Sequence, residues 1–441
     1  MLAELWVEPA RQSGDVRAMA PAARALPVRF VAPLVVAVTF LALLVSAGSR
    51  AAPGVLMRPL ELHFGWSRAG ISAAAACGIF LYGLVGPFAA ALMQTFGIRR
   101  TMIAGLALMA GSTFASLWMT AEWQFFATWG LFAGLGSGMV ASVLGAAVVN
   151  RWFATRQGLV MGLLSASTAT GALVFLPFLA WLTRAGAWAP TVLAVSVGCA
   201  ALIPLVWLLV PEHPGDVGTG RFGEAPDTQP DVAPRMATFG LAFGALRRAA
   251  REPMFWLLFG SFVVCGLTTN GLVGTHLIAF CGDHGIAPVA AAGLLSTMGL
   301  FDLVGTTASG WLTDRTDPKV LLAWYNGLRG LSLIALPFLD FSTLSLGAFA
   351  VFYGLDWIAT VPPTVKLANQ AFGSRDAPVV FGWINAGHQL GAAFAAFGAG
   401  LVRQQTGSYL GAFVAAGIVA VIAAGVLVVA RTAPAPRAMP A

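Results

Sequence analysis

The chain has 441 residues, of which 58% are hydrophobic and only 10% charged, against roughly 25% charged in soluble domains. That depletion excludes a soluble globular enzyme, and the net charge of +7 does not read as nucleic-acid binding when the cations lie between long apolar runs. Lipid is the expected solvent, and the 51 glycines and 25 prolines suit it, because neighbouring helices re-satisfy the backbone groups such residues free.

Residues 1–29 carry Arg11, Arg17, Arg24 and Arg29 without an apolar core. They read as a cytoplasmic tail, not a cleavable signal peptide. Runs long enough to cross a bilayer, roughly 20 residues each, follow at 30–57, 69–93, 101–119, 124–149, 157–183 and 188–210. A stretch rich in Pro, Gly and acid, 211–254, reads as a cytoplasmic linker; its end, "FGALRRAAREP", has the pattern of an amphipathic surface helix. Six more runs follow at 255–281, 287–312, 319–339, 343–368, 378–402 and 409–430, then a cytoplasmic tail, 431–441. With the N-terminus inside, eighteen of the 25 Lys and Arg fall in cytoplasmic segments and four outside (Arg58, Arg68, Arg184, Arg403). Three, Arg50, Arg329 and Lys366, lie within helices. This asymmetry predicts both termini inside and an even number of spans.

A shift of 220 residues lays the loop "AALMQTFGIRR" (90–100) on "GWLTDRTDPK" (310–319). The same shift pairs Arg50 with Asn270, Tyr82 with Asp302, and Gly136 with Asp356. A parallel six-helix repeat is therefore expected: an all-α integral membrane protein of twelve transmembrane helices in two pseudo-symmetric bundles, 30–210 and 255–430. Such halves place a substrate site between them near the midplane.

Ionisable groups within membrane helices cost at least roughly 2.5–3.5 kcal/mol on insertion scales, so each is a functional candidate. Arg50, just before "AAPG", suits bidentate capture of a carboxylate; the alternative is snorkelling to the outer surface. Asp302 is a candidate proton carrier, or the partner of Arg329 or Arg50. Arg329 reads as a structural cation for Asp302 or Asp356. Asp356, in "FYGLDWIATVPPTV" (352–365), either gates or pairs with Arg329, and Gly354 with Pro362 and Pro363 is expected to let its helix bend there. His388 is either a proton relay with one of the aspartates or a neutral hydrogen-bonded histidine. Tyr82, Asn270 and His276 are candidate substrate contacts, against packing or local hydrogen bonding. Lys366 reads as an interface anchor. Cys77, Cys199, Cys265 and Cys281 lack metal-ligand or CxxC spacing and read as small packing residues. No Walker lysine, HExxH, nucleophile elbow or metal cluster is present. The chain therefore reads as no enzyme and no ATP-driven pump, and no cofactor is expected.

"GWLTDRTDPK" resembles the helix-linking signature of the major facilitator superfamily, roughly G-x-L-x-D-R-x-G-R-R, through Gly310, Asp314, Arg315 and Lys319. The first copy departs from it, with Gln94 and Thr95 for the Asp-Arg pair. The resemblance covers about 30–430. It implies a conformational charge lock at Gly310, Asp314 and Arg315, stronger in the second half. It also implies a cavity lined by helices 1, 4, 7 and 10, with helices 3, 6, 9 and 12 as outer support. "GSRAAPGVLMRPLELHFGWSRAGIS" (48–72), "VNRWFATRQGLVMGLLSASTATG" (149–171) and "FDLVGTTASGWLTDR" (301–315) are similar to the monocarboxylate porter and oxalate/formate antiporter branch. Asp302 falls where that branch often carries a coupling aspartate, but Thr306 replaces the arginine one turn later. Helix 5 lacks the G-P-x-x-G-G of drug/proton antiporters.

The function this implies is secondary transport of a small organic anion, in particular a monocarboxylate, with a proton, by alternating access. Anion exchange, export of an apolar compound and a non-transporting sensor are the alternatives. The expected partners are that anion, a proton and the lipid bilayer, with no nucleic acid. A monomer in the bacterial inner membrane is expected.

Overall fold

The computed structural model describes residues 28–183, 187–218, 220–223 and 238–430. The two tails, Arg184 and the middle of the linker lie outside the described residues. Twelve helical segments cross the molecule. We label them α1 (Val28–Phe64), α2 (Arg68–Phe96), α3 (Ile98–Ala115), α4 (Glu122–Trp152), α5 (Gln157–Leu182), α6 (Ala189–Leu209), α7 (Pro253–Asp283), α8 (Pro288–Thr313) and α9 (Pro318–Ala335). They continue with α10 (Thr343–Asp356, resumed over 361–372), α11 (374–406) and α12 (Leu410–Val429). The break between α10 and α11 is Gly373, at φ 73°, ψ 158°, a conformation that only glycine adopts cheaply. Among the described residues the only strand-like pairing is the single bridge Phe153–Phe222.

Large apolar side chains point outward along these helices, among them Trp207 at 61% and Phe397 at 76% exposure. Small residues face the neighbours. Where the two halves cross, backbones touch: a Cβ on Gly162 of α5 would lie 2.6 Å from Thr306 O of α8, and one on Gly382 of α11 would lie 2.5 Å from Pro87 N of α2. Gly382 is 220 positions after Gly162, so the repeat offset seen in the sequence recurs in the packing of the seam.

Two pairs of backbone irregularities stand out. α4 and α7 each contain a π-helical segment, Phe126–Phe132 and Leu267–Val273, a feature frequent at functional sites. α4 also breaks at Val140 and Ala141 and resumes at Ser142, while α10 breaks over 357–360 and resumes at Val361. Thr360 lies 220 positions after Val140. The repeat therefore places a helix break at equivalent positions of the two halves. The bend expected around Asp356 is the break at 357–360, and Pro362 and Pro363 stand just past it. They occupy the first turn of the resumed helix, where a fixed φ and a missing N–H cost nothing. Gly354 is not the hinge: a Cβ there would stand 2.6 Å from Met298 O, so it lets α10 cross α8 closely.

Candidate functional site

The break in α10 exposes backbone groups in the middle of the C-terminal half, where water is scarce. Side chains from two other helices, α8 and α9, satisfy them, and α7 contacts a side chain of the break. Arg329 of α9, fully buried, donates Nε to Asp356 Oδ2 at 2.7 Å and Nη2 to the carbonyls of Asp356 (2.5 Å) and Trp357 (3.2 Å). Asp302 of α8, 1% exposed, accepts the Ile358 N–H at 3.0 Å and the Thr306 hydroxyl at 2.6 Å, both on Oδ1. Ser309 of α8 donates to Ala359 O at 2.5 Å. Cys265 Sγ of α7 sits 3.3 Å from Thr360 Oγ1. Tyr353 donates to Thr268 O at 2.8 Å, tying the upper half of α10 to α7.

Two carboxylates thus face one guanidinium. Asp302 Oδ2, Asp356 Oδ1 and Arg329 Nη1 are buried with no hydrogen-bond partner. Arg329 balances Asp356 directly, which leaves Asp302 held by two neutral donors. The pairing of Asp356 with Arg329, one of the two options open in the sequence, is the one observed. The equivalent break in α4 has no such set: Val140 donates to the carbonyls of Gly136 and Ser137, and its side chain is buried.

Arg50 of α1 lies apart from this cluster. Its guanidinium stacks on the Tyr82 ring of α2, 4.0 Å from the centroid, and donates Nη1 to Ser46 Oγ at 3.2 Å. It walls a small cleft together with Ser49, Gly78, Trp129, Gly134 and Ser137. Those residues come from α1, α2 and α4, and Trp129 belongs to the π-helical segment. Among the described residues no carboxylate is bonded to Arg50. Tyr82 presents its ring face to Arg50.

The other expected substrate contacts do not join this cleft. His276 is held within the C-terminal half, Nε2 at 2.8 Å from Ala396 O and Nδ1 at 3.3 Å from Tyr409 Oη; both ring nitrogens are used, so its place is structural. Asn270 sits exposed in the π-helical segment of α7, its carbonyl accepting from Thr275. His388 packs edge-on against Phe262, with Nδ1 buried and unpartnered, and hydrogen-bonds neither aspartate. The Lys366 ammonium donates to Thr313 O and so closes the end of α8.

The lock expected at 310–315 is half right. Asp314 reaches into the other half and accepts the N–H groups of Gly158 (2.9 Å) and Leu159 (3.0 Å), the first turn of α5. A carboxylate at a helix N-terminus satisfies orphan donors and opposes the macrodipole. Gly310 permits the approach, since a Cβ there would be 2.3 Å from Gly158 O. Arg315 takes no part across the seam: it stacks on Trp311 of its own helix at 4.1 Å and donates to the Trp311 carbonyl. The first copy uses Gln94, which donates to Arg375 O. Asn150 and Asn369 complete the closed face with reciprocal amide bonds at 2.7 and 2.6 Å. We call this the motif end. Asp314→Asn is expected to loosen it much more than Gln94→Ala, because Asn keeps one acceptor and loses the charge; transport rates at matched expression read the difference, and equal effects would contradict the asymmetry.

Residues 39–396 match the model of the Major Facilitator Superfamily. The chain belongs to that superfamily. It is 28% identical over 379 residues to "Monocarboxylate transporter 13" of Rattus norvegicus, covering 85% of this chain and 83% of that one. It is 23% identical over 359 residues to the "Uncharacterized MFS-type transporter YcxA" of Bacillus subtilis (strain 168), covering 80% and 84%. Among solved structures, the E. coli fucose:proton symporter FucP superposes with a TM-score of 0.67 at 15% identity, over 91% of this chain and all of that one. The human organic anion transporter MFSD10 gives 0.66 at 15% identity, over the same shares. The fold is thus that of superfamily transporters, and the expected two-bundle, twelve-helix architecture holds.

Among the described residues of this superfamily member, ten helices are long and apolar enough to cross a membrane by length and composition. One of the ten, Thr343–Thr406, is 64 residues long and holds two crossings, α10 and α11. α5, with 26 residues, is the twelfth. Cys265, Ser309, Tyr353 and Thr360 are the site residues that sequence reasoning missed. The Ser309 and Tyr353 hydroxyls bond backbone carbonyls far away in sequence, and the Cys265 thiol meets the Thr360 hydroxyl.

Proposed function

We propose that this chain carries a small organic anion together with a proton by alternating access, as a monomer in the bacterial inner membrane with both termini cytoplasmic. The excess of Lys and Arg in the loops of the motif end supports the orientation. The observation that carries the substrate class is Arg50. Its guanidinium is immobilised by Tyr82 and Ser46, walls the cleft, and among the described residues has no carboxylate bonded to it. A planar cation held this way is built for an incoming carboxylate. The names of relatives called monocarboxylate transporters support the same class.

The proton belongs to Asp302 in this reading. Two buried carboxylates share one guanidinium, and Arg329 is committed to Asp356. A second positive charge completes neutrality, and the free Oδ2 of Asp302 can hold it. Because Oδ1 of the same residue accepts the Ile358 N–H, the state of this carboxylate is felt directly at the break in α10. Coupling arises because proton and anion favour the same conformation.

Uptake of radiolabelled lactate, pyruvate and acetate into proteoliposomes, with and without an inward proton gradient, tests the reading. Arg50→Gln is expected to raise the half-saturation concentration at least about tenfold, as removal of one charge-assisted contact does, and Arg50→Lys less. Carboxylate uptake that ignores Arg50→Gln would overturn the assignment. Uptake that depends on anion inside the vesicle, and not on pH, would identify exchange instead.

A further inference from the structure

The helix at the end of the linker, Thr238–Ala249, does not lie free on the surface. Leu241, Ala242, Ala245 and Ala249 are buried on one of its faces. Three contacts attach it across the seam between α2 and α11. Phe243 meets Phe88 of α2 with ring centroids 5.6 Å apart, and Trp383 of α11 at 5.6 Å. Phe88 and Trp383 themselves touch across the seam at 5.8 Å. Each ring of this triad thus comes from a different part of the chain: one half, the other half, and the linker. Trp383 Nε1 also donates to Ala242 O at 3.1 Å. Arg248 donates Nε and Nη2 to Asp376 Oδ2 of α11, at 3.0 and 2.6 Å.

The linker is fastened at its near end as well. Phe222 donates its N–H to Trp152 O at 2.8 Å and accepts from Ala154 N at 3.0 Å, at the end of α4. The triad stands beside the place where Gly382 and Pro87 bring the backbones of α11 and α2 together. It can form only while the two halves are closed at the motif end. Parting them pulls Phe88 away from Trp383, and the helix cannot stay docked on both.

We propose that the linker helix is a strap: it docks on α2 and α11 only when the motif end is shut, and it must leave one half before that end opens. The aromatic contacts supply most of the hold. Arg248 is more than half exposed, so its ion pair sets register more than strength. The strap rests on the alternating-access reading, but its test uses no substrate, so failure of one is separable from failure of the other.

Spin labels on Phe96→Cys and Ser374→Cys, exposed positions in opposite halves at the motif end, report its width in the full chain. Cys77→Ala removes the least buried native thiol. Pulsed electron–electron distance measurement is expected to show a dominant short distance. In Phe243→Ala/Arg248→Ala, the ratio of long to short distances should rise about tenfold, equivalent to about 1.4 kcal/mol. Arg247→Ala, exposed on the same helix, should leave it unchanged. A distribution unaffected by the double substitution, or shifted equally by Arg247→Ala, overturns the strap. Phe243→Leu with Asp376→Asn keeps apolar bulk on the helix and reads the same distance pair should the alanine variant not remain monodisperse.

Discussion

Replacing Arg329 by glutamine is expected to destabilise the chain by about 3–5 kcal/mol, the range for removing one partner of a buried ion pair. The loss has two parts. The Asp356 carboxylate, 6% exposed, would remain in a low-dielectric interior without its cation. The carbonyls of Asp356 and Trp357 would lose their donor at the break, and an unsatisfied buried group costs about 1–3 kcal/mol. Asp356→Asn removes only the first part, since Arg329 still reaches both carbonyls, though it then leaves the guanidinium without a counter-charge. The double variant Arg329→Gln/Asp356→Asn should be less damaged than the two single effects summed, because the uncompensated charges vanish together. Apparent melting temperatures in detergent, measured on monodisperse fractions, check the ordering. Additive effects would mean that the pair is not coupled.

The second large effect is on coupling. Asp302→Asn keeps an oxygen for Thr306 and Ile358 and so preserves the local geometry, but it cannot take up a proton. Proteoliposomes with the wild-type chain are expected to accumulate carboxylate faster as the outside becomes more acidic. In Asp302→Asn that dependence should disappear, with accumulation against a gradient lost and exchange of preloaded anion retained within a few-fold. Asp302→Ala, which also strips the Ile358 N–H of its acceptor, should lose exchange as well. A pH-sensitive dye inside the vesicles reads proton entry independently of the anion. Asp302→Asn vesicles that still accumulate anion under a proton gradient would falsify the assignment of the proton to Asp302.

Much of the architecture was legible because lipid imposes a simple rule. Apolar runs of sufficient length become spans, and the offset of 220 residues sets Arg50 against Asn270, Asp302 against Tyr82 and Asp356 against Gly136. The break in α10 was not legible in the same way. Pro362 and Pro363 drew attention to themselves as the site of bending, yet they begin a helix. The break lies in Trp357-Ile358-Ala359-Thr360, directly before the prolines that the sequence marks, and the backbone there is satisfied by distant partners on α8 and α9 that the sequence does not show. Asp314 illustrates a related limit. Its residue type announced a lock, but its partners are backbone N–H groups of Gly158 and Leu159, which carry no side-chain signal. The spacing of Gly158 and Gly162 on α5, small residues four apart, is the clue that would have found the crossing. Cys265 was misread for the opposite reason: a thiol in an apolar run is usually packing, and only the fold brings Thr360 to it.

The pairing of Arg329 with Asp356 also bears on how the chain enters the bilayer. The two residues are 27 positions apart, on adjacent helices joined by the short turn 339–342. Presented singly to lipid at the translocon, each charge would resist partitioning by about 2.5–3.5 kcal/mol. Presented as a hairpin, they arrive already neutralised. Insertion of α9 and α10 together as a hairpin is therefore expected to cost less than insertion of either alone, and glycosylation-mapped insertion of chains ending before and after α10 reads the difference.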